Sequence, residues 1–434
     1  MRRNPDEELA ARTPTTRSLS RRSFVAAALG AAVAALGGCA ADEAEDASSS
    51  SIRGLTVYDR GTTPVEGGRS GEVQVLGDEA ETTSDTVSVL MIGDILVHMG
   101  VWESGEQDDG TRNYDHLYAQ IADEVAEADL AMLVQETILG GEEFGFSGYP
   151  SFNSPQEIGD AEAEVGFDVL VHATNHSMDV GFEGIESEMA FWRANHPEVT
   201  VVGIADSEEA AEVGVMDVNG HLVSVLSWTY GLNGYSLPSD APWAVRLLDE
   251  DQVTADIAAA RELGAEAVIA CPHWGTEYSS SPDSSQLYWG QYLADAGADL
   301  IIGDHPHVIH QVETLTASDG RTVPVYWSTG NFVSTQARKD TMVGGMARAT
   351  LTFEGGECSV TSVEFTPVVT QRLPSDPAMT TYLLPDYTAE LAEANGIRDC
   401  DGCSDFSLDW VLEFCSERLG ENFSTETCSL TLPL

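Results

Sequence analysis

Two neighbouring stretches, VIACPHWGTEY at residues 268–278 and DLIIGDHPHVIHQVE at residues 299–313, decide how this chain folds. Each holds a short apolar run, Ala267–Ala270 and Leu300–Ile302, that stops abruptly and gives way to histidine. A buried parallel strand delivers polar side chains to the carboxyl edge of a sheet in this way. His273, His305 and His307 are therefore expected together at one end of one sheet. Imidazoles at i and i+2 of an extended segment point the same way, so His305 and His307 are expected to face one small site from an extended backbone. Any single one of the ten histidines would read as a polar loop residue. Three of them at the ends of two apolar runs point to metal ligation.

Working outward, the same strand-then-polar pattern recurs towards the amino end. Val87–Ile92 ends at Gly93-Asp94, Leu130–Val134 at Gln135-Glu136, and Val169–Val171 at His172-Ala173-Thr174-Asn175-His176. Helical spacing of Leu117, Ile121 and Val125 predicts a helix over 114–128. Ser154, Pro155 and Glu157 predict a helix start with Ser154 as its N-cap. Further helices are expected over 183–195 and 253–263, and a strand over 199–203. Antiparallel pairing then enters: Asn219-Gly220, Asp319-Gly320 and Gly355-Gly356 mark hairpins between strands near 213–218 and 222–228, before 323–327, and between 347–353 and 360–365. The alternation with antiparallel insertions predicts an α/β fold, a four-layer α/β/β/α sandwich of mixed sheets, in one domain over 85–370. The 371–434 segment reads as an extension in which Cys400, Cys403, Cys415 and Cys428 are expected to form disulfides, with three possible connectivities, a structural zinc site being the runner-up with only one C-x-x-C present. Cys271 and Cys358 read as small buried apolar residues.

The charge is extreme, 72 Asp+Glu against 20 Lys+Arg, a net −52. A polyanion such as nucleic acid would be repelled, so nucleic acid is not an expected partner. Basic residues cluster at the start, where Arg21-Arg22 precede an apolar run from Val25 to Leu36 that is too short to span a bilayer permanently. This resembles a twin-arginine export signal, and Leu36-Gly37-Gly38-Cys39 resembles a lipobox. Residues 1–38 are thus expected to be removed, leaving a lipidated Cys39 on the outer face of the cytoplasmic membrane. Residues 39–84, rich in Ala, Asp, Glu, Ser and Gly, are expected to form a disordered acidic tether.

The strand ends supply Asp94, Glu136, Asn175 with His176, His273, and His305 with His307. Carboxylates, an amide and imidazoles in this mixture suit borderline divalent ions (Mn, Fe or Zn) better than a thiolate zinc or an all-oxygen calcium site. Two such ions roughly 3.5–4 Å apart can neutralise charge on a phosphoryl oxygen and activate water. No Walker-type phosphate loop and no serine-elbow motif is present.

Six motifs, in order, resemble the CapA family of poly-γ-glutamate capsule biosynthesis proteins, of the calcineurin-like metallophosphoesterase fold group. They are Gly93-Asp94-Ile95-Leu96-Val97-His98, Gln135-Glu136-Thr137, Ala173 to Gly181, His273-Trp274-Gly275-Thr276-Glu277-Tyr278, Gly303-Asp304-His305-Pro306-His307-Val308 and Ser328-Thr329-Gly330-Asn331-Phe332. The resemblance implies a metallo-dependent phosphatase-like fold and two divalent metal ions held by Asp94, Glu136, Asn175, His273, His305 and His307, with Glu136 as the bridge. It also implies His176 as leaving-group acid, with Asp179 orienting it. Position 96 is Leu where typical dinuclear phosphoesterases carry the His of Asp-x-His, and the second motif is Gln135-Glu136 in place of Gly-Asp-x-x-Asp. His98 is therefore carried as a further ligand or support, and so is Asn331. Position 304 is Asp where many relatives have a neutral residue or His. Trp274, Glu277 and Tyr278 are candidates for a substrate pocket. His172 reads as a hydrogen-bonded core histidine, His116, His196 and His221 as surface residues, and His310 and Glu313 as lying outside the ligand set.

The resemblance implies a lipid-anchored envelope protein acting in biosynthesis, transfer or release of an anionic capsule polymer, with capsule-synthesis membrane proteins as possible partners and the polymer or a phosphoester as substrate. The alternatives are a general extracytoplasmic metal-dependent phosphoesterase and a non-catalytic polymer-binding or assembly component.

Overall fold

Seventeen strands among the described residues sort into two mixed sheets in the computed structural model, which describes residues 57–58, 85–373 and 376–434. In chain order the strands are β1 (Val57–Tyr58), β2 (Thr86–Ile95), β3 (Leu130–Gln135), β4 (Val169–Val171), β5 (Thr200–Val202), β6 (Val215–Val218), β7 (His221–Thr229), β8 (Ala267–His273), β9 (Leu300–Ile302), β10 (Val312–Thr316), β11 (Thr322–Tyr326), β12 (Asn331–Val333), β13 (Val343–Glu354), β14 (Glu357–Leu373), β15 (Asp376–Leu383), β16 (Phe423–Ser424) and β17 (Ser429–Thr431). One sheet runs β1-β6-β7-β8-β9-β11-β10. The other runs β16-β17-β14-β13-β2-β3-β4-β5, with β12 beside β2 and β15 beside β14.

The continuous apolar runs of β2, β3, β8 and β9 are buried on both faces, as parallel strands inside a layered α/β protein must be. Alternate residues face opposite layers. Val89, Met91, Met132 and Val134 pack against Ile269, Cys271 and Ile302 between the sheets. On the far face of the larger sheet, Leu90, Ile92 and Leu133 meet Leu117, Ile158 and Trp192 from helices. Val268, Ala270 and Ile301 likewise meet Val253, Ile257 and Leu293 of the helices Glu250–Glu262 and Ser284–Ala296. The result is the expected four-layer α/β/β/α sandwich. The three hairpins form where expected, Asn219 and Gly220 both adopting positive φ in the β6–β7 turn.

Several local expectations are corrected. The 114–128 helix is two short ones, Asp115–Tyr118 and Ala122–Glu127, because Ile121 takes φ −123° and ψ 3°. Periodicity recorded the burial of Tyr114, Leu117, Ile121 and Val125, which a broken helix achieves equally well. The next helix begins at Glu157 with Gln156 at its cap position, not Ser154, whose hydroxyl meets Thr137 Oγ1 at 3.0 Å instead. Helix Ser284–Ala296 was not foreseen, although Asp283 and Gln286 form a capping box and Gly297 ends it in the left-handed region. Cys400, Cys403, Cys415 and Cys428 are unpaired, as are Cys271 and Cys358; Cys403 and Cys415 are buried as small apolar side chains. The expected boundary at 370 falls inside β14, and β15, β16 and β17 extend the same sheet.

The export signal, Cys39 and most of the acidic tether lie outside the described residues. Within the tether, Val57–Tyr58 pair in parallel with β6. No helix among the described residues is long and apolar enough to cross a membrane.

One buried carboxyl shapes stability rather than chemistry. Glu162 accepts a hydrogen bond from the Tyr118 hydroxyl at 3.0 Å, and burial, the largest influence, holds its carboxyl well above the usual carboxylate range. The folded state therefore binds a proton that the unfolded chain releases, and stability falls as pH rises through that interval, by about 1.4 kcal/mol per pH unit. Glu162→Gln should remove this slope. Melting curves from pH 4 to 8 are expected to show the variant gaining on the parent as pH rises, and parallel curves would refute the assignment.

Candidate metal centre

The carboxyl ends of β2, β3, β4 and β8 and the loop after β9 converge at one edge of the sandwich. Gly93 allows the approach of two of these segments. A Cβ there would lie 1.8 Å from the Gly330 carbonyl oxygen, which instead accepts the Asp94 N–H at 2.9 Å. That contact sets Asn331 opposite Asp94 in the β2–β12 register. Glu136 follows β3, its N–H donating to Ile95 at 3.3 Å, and its carbonyl accepts the Thr174 hydroxyl at 2.7 Å. The turn bearing Asn175 and His176 is thereby tied to it.

His305 and His307 do face the same site, but not from extended backbone. Their φ values are +96° and +61°. Such geometry costs about 1–3 kcal/mol per residue and persists only where surrounding contacts enforce it. Here it turns both rings inward, with centroids 5.8 Å apart.

The donor atoms form two sets. In one, His273 Nε2 lies 2.8 Å from Asn175 Oδ1 and 3.1 Å from His305 Nδ1. In the other, His307 Nδ1 lies 3.0 Å from Asn331 Oδ1, 3.2 Å from Asp94 Oδ2 and 3.7 Å from Glu136 Oε2. Glu136 also has a carboxylate oxygen within 4.8 Å of ligating atoms of both His305 and His307, the placement a bridging carboxylate needs. All seven side chains are buried.

Several observations show that these residues fit a divalent cation. Asp94 Oδ1 and both Glu136 oxygens are buried without a hydrogen-bond partner, an expensive condition that a coordinated cation relieves. Burial, with the Asp94 charge second, pushes the Glu136 carboxyl well up, and burial also raises Asp94. Burial, with neighbouring imidazoles second, pushes His273 and His305 well down. Both shifts favour the neutral imidazole that a ligand must be. Finally, His273 Nδ1 contacts an Asp304 carboxyl oxygen, and with Nδ1 as the donor Nε2 keeps its lone pair. In that tautomer Nε2 and the Asn175 carbonyl oxygen, 2.8 Å apart, are two acceptors facing one point.

His176 stands beside the cluster. Its Nδ1 donates to Asp179 Oδ2 at 2.6 Å, and the same oxygen accepts the Phe152 N–H at 2.7 Å. His98 is close by, edge-on to Phe152, with Nδ1 3.5 Å from the Thr335 N–H. Burial, chiefly, lowers its pKa to about 3.

The pocket candidates separate. Trp274 is fully buried on the helix side, its Nε1 donating to the Trp327 carbonyl at 3.1 Å, so it packs and cannot line a pocket. Glu277 is exposed and Tyr278 half-buried, its ring 5.8 Å from that of His307. His172 is a core histidine held by Glu188 at 3.0 Å. His116, His196 and His221 are half-buried. His310 Nε2 donates to the Ser279 carbonyl and Glu313 accepts from Trp327, both away from the donor sets.

Three residues at the site escaped sequence reading. Tyr230, 47% exposed, lies with its ring 4.6 Å from that of His305, and burial first, then Glu277, pushes its hydroxyl up to about 12. Asn233 accepts from Asn175 at 3.2 Å and reaches His176 at 3.4 Å. Both follow β7, whose end reaches the same edge, a signal available but not used. Asp304, noted in the sequence only as a departure from the family pattern, is the third, through its contact with His273.

The family described as Bacterial capsule synthesis protein PGA_cap matches residues 88–336, which contain every donor above. The chain belongs to this family. Among curated members of the capsule synthesis group, it is similar to the PGA biosynthesis protein CapA of Bacillus subtilis (strain 168), 27% identical over 211 residues, covering 46% of this chain and 52% of the relative. It is also similar to the Capsule biosynthesis protein CapA of Bacillus anthracis, 27% identical over 188 residues, covering 42% and 44%. The chain thus spans about half the length of the curated relatives it matches. Among solved structures it is similar to the calcineurin-like phosphoesterase YfkN from Bacillus subtilis, at 15% identity and a TM-score of 0.36 over 65% of this chain and 90% of that one.

Proposed function

We propose that this capsule synthesis family member is exported, anchored by lipid at Cys39, and acts in biosynthesis, transfer or release of an anionic capsule polymer of the poly-γ-glutamate kind. Its buried cluster would hold two divalent ions and serve a phosphoesterase-like reaction. The observation that carries the metal reading is the convergence of His273 Nε2, His305 Nδ1 and the Asn175 oxygen beside a cluster of orphaned carboxylate oxygens. The anchor rests on Arg21-Arg22 and Leu36 to Cys39.

Asp94, His307 and Asn331 would hold one ion and Asn175, His273 and His305 the other, with Glu136 between. Bound divalent ions would supply charge neutralisation at a phosphoryl oxygen and lower the pKa of water. The chain's own contribution is positional. Asp179 orients the His176 ring through Nδ1; as the imidazolium, the ring would pass its Nε2 proton to a departing oxygen and be left as the neutral Nδ1–H form. Burial of the donors strengthens each of these interactions.

A second reading, a general extracytoplasmic phosphoesterase, is supported by the His176–Asp179 pair, a positioned proton donor of the kind a departing ester oxygen uses. Both are tested by metal analysis of the purified chain alongside turnover of aryl phosphate mono- and diesters with added Mn2+. Bound metal with turnover lost on Asn175→Ala supports the enzymatic readings. Bound metal with no turnover of any phosphoester points to a binding or assembly role, and no metal under any loading condition defeats the proposal.

A further inference from the structure

Asp304 belongs to no ligand set assigned above, yet it is fully buried at the centre of the cluster. One carboxylate oxygen meets His273 Nδ1. The other has no partner. His273 Nε2, on the opposite side of the ring, faces Asn175 Oδ1 at 2.8 Å and His305 Nδ1 at 3.1 Å. With Nδ1 donating to the Asp304 carboxylate, the lone pair is confined to Nε2. Free histidine has two neutral tautomers, and the other one would point an N–H at the very atoms gathered there.

The backbone gives Asp304 no freedom to leave. Its N–H donates to the Pro272 carbonyl at 3.3 Å and its carbonyl accepts the Trp274 N–H at 3.2 Å, which brackets His273 on both sides. Immediately afterwards the chain turns left-handed at His305, φ +96°. Consecutive residues thus address one imidazole from two sides, Asp304 at Nδ1 and His305 at Nε2.

We propose that Asp304 is a positioning residue for metal binding, holding the His273 ring in the tautomer and orientation that present Nε2 to a divalent cation. This rests on the reading of the cluster as a metal site. A carboxylate behind a ligating histidine fixes the ring and raises its basicity, and loss of such a partner typically weakens metal affinity about 10–100-fold. The alternative, Asp304 as a ligand itself, has one point in its favour, since atoms of Asp94, His273 and Asp304 lie within 4.8 Å of one another. Its commitment to Nδ1, away from Asn175 and His305, opposes that.

The test uses the full chain, metal-free and labelled with 15N-histidine. The His273 signal, assigned by its loss in His273→Gln, is expected to show the Nδ1-protonated tautomer, and Asp304→Ala should shift it to the Nε2-protonated form. Titration with Mn2+ should then show affinity weakened about tenfold in Asp304→Asn and up to about 100-fold in Asp304→Ala, with stoichiometry unchanged. Melting of the metal-free variants reports whether the fold is kept, and the isosteric Asn variant carries the test if Ala unfolds. Unaltered tautomer, or affinity within twofold of the parent, overturns the inference. Loss of one Mn2+ equivalent in Asp304→Asn, with the remaining affinity intact, overturns it in favour of direct ligation. A parent chain that shows the tautomer but binds no Mn2+ overturns the metal reading itself.

Discussion

Removing the His307 imidazole is expected to cost the chain one of two bound Mn2+ equivalents and to lower any phosphoester turnover roughly 10³-fold, the several kcal/mol that an ion contributes at a phosphoryl oxygen. The reasoning is geometric. His307 Nδ1 is the atom around which Asp94, Asn331 and Glu136 gather, whereas His273 Nε2 is the atom that meets both Asn175 and His305. His307→Ala should therefore empty one side and spare the other. His273→Ala should do the reverse. Elemental analysis of both variants after identical loading and dialysis checks the division. Retention of both equivalents in His307→Ala would mean that the ring supports its neighbours without ligating. Loss of both equivalents in each variant would instead make Glu136 the dominant link, neither ion being held without the other.

The second large effect concerns proton transfer. His176→Ala should leave metal content unchanged, because the His176 ring is engaged with Asp179 and Asn233 and contacts no donor of either set closely. Turnover of esters with poor leaving groups, such as alkyl phosphates, should fall about 10²–10⁴-fold, the usual worth of a positioned general acid. Activated aryl esters, whose leaving oxygen needs little help, should fall less than tenfold. Equal losses for both ester classes would remove the acid role. If the chain's function in cells survives His176→Ala intact, the cluster serves binding or assembly and not bond cleavage.

Much of this architecture was legible because buried parallel strands write themselves into sequence as unbroken apolar runs. β2, β3, β4, β8 and β9 each ended close to where polarity returned, and each end delivered a donor. What stayed hidden depended on contacts between distant segments. The backbone of His305 and His307 gave no sign of its left-handed turns, since neither residue is glycine. Asp304 looked like a departure from the family pattern and nothing more, because its role exists only once β8 and the loop after β9 lie side by side. Trp274 sat among site residues in sequence, yet the alternation of β-strand side chains sends it to the opposite face. In the carboxyl-terminal segment the cysteines drew the eye, while the short strands completing the larger sheet left little periodic trace.

β2 carries Asp94 and lies between β3, which follows it in sequence, and β13, which arrives far later. Asp94 itself meets a histidine 213 residues downstream. Until those later segments have been synthesised, a nascent chain has an unprotected strand edge at its heart and only fragments of a cation-binding pocket. Loop-closure entropy makes such pairings slow to form. Assembly is therefore expected to be a late, all-at-once event on the finished polypeptide, and ribosome-bound fragments ending before β13 should be cut readily by protease within β2.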